Sequence, residues 1–178
     1  MAEWSGPHFT RFLKELLTKH GIEHLHIIAH SMGNQILVRS LFAGRLTAVE
    51  QSHLGQVVLA APDVDRLIFD QQVVVASIKP LRVTLYASNR DQALLASKIL
   101  HWGSRLGDAR PTIDLQQGMD SIDASAVDTG FLGHSYIGSS RSVLVDVAAL
   151  ISSNTGPGSR FGVITQGLPP RQWWLLNP

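Results

Sequence analysis

A serine, a carboxylate and an imidazole, set out along the chain in that order, are the residues here whose types and surroundings could do covalent chemistry. The stretch Ala29-His30-Ser31-Met32-Gly33 has the small-x-Ser-x-Gly form of a turn that lifts a serine hydroxyl between a strand and a helix. Such a hydroxyl is a poor nucleophile at neutral pH. It needs a base to take its proton and an acid to orient that base. Asp91 follows the strand-like segment Leu81 to Ala87, and His134 stands in Gly133-His134-Ser135, ahead of the final helix pattern. Asp63 and Asp65, in Pro62-Asp63-Val64-Asp65 after an earlier strand, are alternative acids. Asp91 could equally cap the helix that begins at Gln92. The backbone N–H of Met32, the residue after the serine, is placed to donate to a developing oxyanion.

These groups need a scaffold that brings distant positions to one edge. Residues 8–20 put Phe9, Phe12, Leu13, Leu16 and Leu17 on one stripe and predict an amphipathic helix ending at Gly21. His24 to Ala29 then reads as a strand running into the serine turn and a helix carrying Ile36, Leu37, Leu41 and Phe42. Strands follow at Gln56 to Ala61, Leu81 to Ala87 and Pro111 to Leu115, with helices over Arg66 to Ile78, Gln92 to His101 (Ala93, Leu94, Ala96 and Leu100 inward) and Ser142 to Ile151. Strands separated by helices cannot be hairpins. The expectation is therefore a three-layer α/β/α domain around a parallel sheet, in which groups after successive strands gather at the carboxyl ends. Residues 1–151 form this domain, and 152–178 a loop-like tail in which Trp173 and Trp174 hint at packing.

Composition narrows the function classes. The chain has 178 residues, 44% hydrophobic and 16% charged, with 15 Lys+Arg against 14 Asp+Glu, a globular balance that disfavours a nucleic-acid partner. With no cysteine, thiolate ligands, disulfides and a cysteine nucleophile are excluded. Met1 to Thr10 lacks the form of a secretory leader, and no apolar run approaches a membrane span, so the default location is cytoplasmic. His24 and His26 share a strand face without a third ligand, Asp120, Asp123 and Asp128 read as a solvated loop, and no phosphate-binding loop occurs, so neither metal nor cofactor is expected. His30 belongs to the turn itself and its ring is expected to point away from Ser31. Phe69, Trp102 and Phe131 are candidates for an acyl pocket, or plain core.

Several segments together carry a family resemblance: Glu3-Trp4-Ser5, His26 to Asn34, Leu59-Ala60-Ala61-Pro62-Asp63-Val64-Asp65, Val83-Thr84-Leu85-Tyr86-Ala87-Ser88, Asp91 to Leu94 and Gly133-His134-Ser135-Tyr136. The chain resembles the α/β-hydrolase superfamily and, within it, the bacterial DUF900 hydrolases. The resemblance implies Ser31 as nucleophile, Asp91 as orienting acid and His134 as general base. The implied substrate is a small-molecule carboxylic ester, hydrolysed through an acyl-enzyme. It also implies strands upstream of the serine turn, one of whose loops supplies the second oxyanion donor. The sequence as read starts just before the helix preceding that turn, so a fragment is expected. Leu25 to Ile28 would then be a sheet edge open to an upstream segment or to self-association. The competing reading is a catalytically silent interaction domain.

Overall fold

The computed structural model describes residues 2–19, 21–41, 46–73, 82–127 and 133–178. The chain opens with helix α1 (Ala2–Lys19), which starts before the expected His8 and continues through Pro7. This helix meets its neighbour at buried Gly6, whose carbonyl accepts from the hydroxyls of both Thr10 and Ser40. Strand β1 (Leu25–His30), the serine turn and helix α2 (Gly33–Leu41) follow as read from the sequence. A short helix α3 (Ala48–Ser52) was not anticipated. It starts with a capping box, Thr47 accepting from the Glu50 N–H while the Glu50 carboxylate accepts from Thr47 N.

Strand β2 (Leu54–Ala60) leads to helix α4 (Arg66–Val73); the rest of the expected helix, to Ile78, lies outside the described residues. Strand β3 (Arg82–Ala87) precedes helix α5 (Gln92–His101), whose bounds are those predicted. Its burial is not: Leu94 is buried, while Ala96 and Leu100 face outward.

The fourth strand stands elsewhere than expected. Residues 111–115 are irregular, and β4 is Met119–Asp123. Pro111 lacks an N–H for a ladder, and the Asp114 carboxylate turns to the Arg66 guanidinium at 2.5 Å, so the segment lies over the sheet with Ile113 in the core. The polar reading of Met119 to Asp123 misled because its charges are locally satisfied. Asp120 pairs with Arg82 on the neighbouring strand at 2.6 Å, and Asp123 accepts from Ser125. Both acids thus belong to a strand, not to the solvated loop expected of them, and Asp128 lies outside the described residues.

Helices α6 (Tyr136–Ser139) and α7 (Arg141–Ser153) follow. The segment read as a loop-like tail holds a 3₁₀ turn (Pro157–Ser159) and two further strands, β5 (Val163–Gln166) and β6 (Trp173–Leu176). The six-stranded sheet runs β1-β2-β3-β4-β6-β5, parallel except for the β5–β6 hairpin.

Alternation along the strands divides the core. Val57 and Leu59 of β2 and Leu85 of β3 meet Leu13, Leu37, Leu41 and Phe69 on one face. Val58, Tyr86 and Ile122 meet Tyr136, Val143, Val147 and Leu150 on the other. A sheet covered on both faces explains why its inner strands read as unbroken apolar runs. Phe69 is plain core, Trp102 is 95% exposed, and Phe131 lies outside the described residues. Among the described residues β1 pairs with β2 alone and forms the edge of the sheet, where Ile28 is 49% exposed. At its foot the ladder slips by one position, and the His26 ring fills the gap, Nδ1 accepting from the Gln56 N–H at 3.0 Å. Among the described residues no helix is long and apolar enough to cross a membrane.

Candidate functional site

Ser31 sits where the β1 ladder ends. Its φ of 52° lies in the left-handed region, a conformation that costs a side-chain-bearing residue roughly 1–2 kcal/mol and that surrounding structure must hold. Three elements hold it. Ser31 N–H donates to the Ala60 carbonyl at 3.0 Å, and its own carbonyl accepts from Asn34 N and from Asp63 N. The Asn34 side chain, wholly buried, adds a further tie: its amide nitrogen lies 3.1–3.2 Å from the carbonyls of Ala29, Ser31 and Ala60. Ala61, directly after β2, is also left-handed, with φ 41°. The backbone of Gly107 packs so closely on Pro62 that a Cβ there would lie 2.6 Å from the proline nitrogen. Met32 exposes 58% of its surface, and its N–H has no acceptor among the described residues.

Asp91 and His134 meet directly. The Asp91 Oδ2 atom lies 2.7 Å from Nδ1 of His134, and Oδ1 accepts from the Leu94 N–H at 2.9 Å, capping α5. The contact to His134 and the helix cap coexist because the carboxylate has two oxygens. The carboxylate is fully buried, and because an ionised carboxylate only accepts, Nδ1 is the donor in this contact; in the neutral ring the lone pair then falls on Nε2. The other two acids have different employment. Asp63 accepts from Ser97 Oγ at 2.7 Å and lies 3.4 Å from Arg105 Nε, and Asp65 caps α4 through the N–H groups of Leu67 and Ile68.

The loop carrying His134 is tied on both sides. Tyr136 Oη donates to the Tyr86 carbonyl at 2.9 Å, and the His134 carbonyl accepts from Nε2 of His30 at 2.8 Å. The His30 ring, expected to point away from Ser31, turns toward this loop. The bonds made by the Asn34 and His30 side chains were not foreseen from the sequence. His30 stands inside the serine-turn motif and Asn34 directly after it, and in neither does the type of residue hint at its partner.

Beneath the site, Tyr86, Asp146 and Arg160 form a buried polar cluster. The Tyr86 hydroxyl donates to Asp146 Oδ2 at 2.5 Å, and Arg160 Nε lies 3.1 Å from Oδ1. Burial raises the Asp146 pKa above the ordinary carboxylate value, against the opposing pull of the Tyr86 hydrogen bond and the Arg160 charge. Burial also raises that of Tyr86 well above the usual phenol range, reinforced by the Asp146 charge. The described residues hold no cluster of three or more His, Asp or Glu fit for a metal ion.

A family described as alpha/beta hydrolase of unknown function (DUF900) matches residues 1–154. The chain belongs to this family. Family membership agrees with the mostly parallel sheet, with helices on both faces, and makes the chain one of the α/β hydrolases. The family match ends just after α7, so β5 and β6 lie beyond it. Comparison with curated proteins and with solved structures finds no match.

Proposed function

We propose that this DUF900 hydrolase is a serine esterase that cleaves small-molecule carboxylic esters through an acyl-enzyme. The observation that carries the reading is the 2.7 Å contact between Asp91 Oδ2 and His134 Nδ1, made by a histidine whose loop is bonded to the residue next to Ser31. In the proposed route Nε2 of His134 takes the Ser31 proton as the hydroxyl oxygen attacks the ester carbonyl carbon. The same proton passes to the leaving alcohol, and water, activated in turn by His134, splits the acyl-serine to release the acid and restore the hydroxyl. Asp91 holds the imidazole in the required tautomer, and the free Met32 N–H supplies one oxyanion donor.

The test is p-nitrophenyl ester turnover together with fluorophosphonate labelling, in the wild type and in Ser31→Ala. Turnover and labelling that both vanish in the variant support the esterase; turnover that survives removes Ser31 from the mechanism.

A second reading, a catalytically silent interaction domain, draws on the open edge of β1, where the half-exposed Ile28 would lie under a pairing strand from an upstream segment or a second copy. A folded protein that refuses the probe and shifts to a larger size in sedimentation favours this reading over the first.

A further inference from the structure

His30 closes β1 and precedes the serine, yet its ring does not serve the elbow. Nε2 lies 2.8 Å from the carbonyl oxygen of His134, 104 positions away, and the two imidazole centroids are 4.7 Å apart with the planes inclined at 47°. A carbonyl only accepts, so Nε2 of His30 carries the hydrogen and is not available as a proton acceptor. This commits Nε2 of His30 to the His134 backbone. Asp91 grips the far end of the His134 side chain, and Tyr136 ties the chain two residues on. Neither of those contacts is made to the His134 carbonyl, and the His30 hydrogen bond is.

We propose that His30 is a positioning residue for the base: it pins the His134 backbone to the end of β1, so that the imidazole held by Asp91 is aimed at the serine turn. The inference rests on the proposed serine chemistry for its consequence in rate but not for its geometry. A ring that swings when the carbonyl is released loses alignment, and a misplacement of about 1 Å costs on the order of 10²-fold in rate.

Three replacements separate the parts of the His30 side chain. His30→Gln keeps a donor at similar reach without the ring, His30→Phe keeps a ring without the donor, and His30→Ala removes both. Since His30 is exposed, all three are expected to melt close to the wild type. Two readouts are taken on each: the rate of fluorophosphonate capture at Ser31, and the low-field proton resonance of the His134 Nδ1–H bonded to Asp91. The expected result is that His30→Ala and His30→Phe slow capture on the order of 10²-fold and broaden the low-field proton, while His30→Gln restores both. Wild-type rates and an unbroadened proton in His30→Ala and His30→Phe would overturn the assignment, as would a wild-type protein with no such proton. If Ser31 in the wild type does not react at all, the esterase reading fails. The resonance still decides the role of His30, which stands if the proton is lost in His30→Ala and falls if it persists.

Discussion

Asp91 divides its carboxylate between Leu94 and His134, one oxygen holding the first turn of α5 and the other the imidazole. Substitutions can separate these two duties. Asn is as good an N-cap as Asp but presents an amide to Nδ1, which favours the wrong tautomer. Asp91→Asn is expected to change stability by less than about 1 kcal/mol while lowering ester turnover by about 10⁴-fold, the loss seen for the same change in a serine protease. Asp91→Ala should lose the activity and, in addition, about 1 kcal/mol of helix capping. Thermal melts run alongside turnover check the split; equal melting of the two variants would refute the capping half.

At the serine turn, conformation and chemistry are separable in the same way. Ser31→Ala and Ser31→Gly both remove the hydroxyl, but only glycine adopts a φ of 52° without strain. After allowing for the greater freedom of glycine in the unfolded chain, Ser31→Gly is expected to be more stable than Ser31→Ala by about 0.5–1 kcal/mol. Urea midpoints of the two inactive variants measure this, and the reverse order would show that the turn is not strained.

Asn34 holds three carbonyls at the meeting of β1, β2 and α2. Asn34→Ala leaves them to share fewer donors in a buried setting, at about 1–3 kcal/mol for each group left unsatisfied. A loss on the order of 3 kcal/mol in urea denaturation is expected, with slower labelling of Ser31 in whatever fraction remains folded. Destabilisation below about 0.5 kcal/mol would mean that the turn is held by its backbone bonds alone.

Asp146 gives the fold a pH signature. Burial raises its pKa in the folded state, so that state keeps the proton to a higher pH than the unfolded chain, whose aspartates ionise near ~3.9. Its contribution to stability is complete below that value and is lost as pH rises through the folded pKa. The stability difference between the wild type and Asp146→Asn should therefore move against the wild type as pH climbs from about 4 and level off once Asp146 is ionised. Chemical denaturation at a series of pH values reads this slope; a flat difference would contradict the raised pKa.

Much of the architecture was legible because periodicity reports burial. The apolar runs of β2 and β3 and the bounds of α5 followed directly from it. The strand β4 did not, because Asp120 and Asp123 meet partners in Arg82 and Ser125 that are distant or irregular in sequence, and a satisfied charge reads like a solvated one. Helix α3 had a readable signal in Thr47 and Glu50, three apart, that went unused. The tail strands were hidden because four-residue segments give alternation too little length to show. At the site, the identities of Ser31, Asp91 and His134 could be proposed from type and order. The roles of Asn34 and His30 could not, since each depends on a backbone carbonyl, and carbonyls have no sequence signature.

The last strand in chain order is not the last in the sheet: β6 lies between β4 and β5. A nascent chain that has emitted β5 but not β6 therefore has a strand with nowhere to dock and leaves the far flank of β4 unpaired. During that interval the polypeptide offers a template for mispairing that chaperones would need to shield, and the hairpin that brings Trp173 and Trp174 home acts as the clasp that ends the exposure.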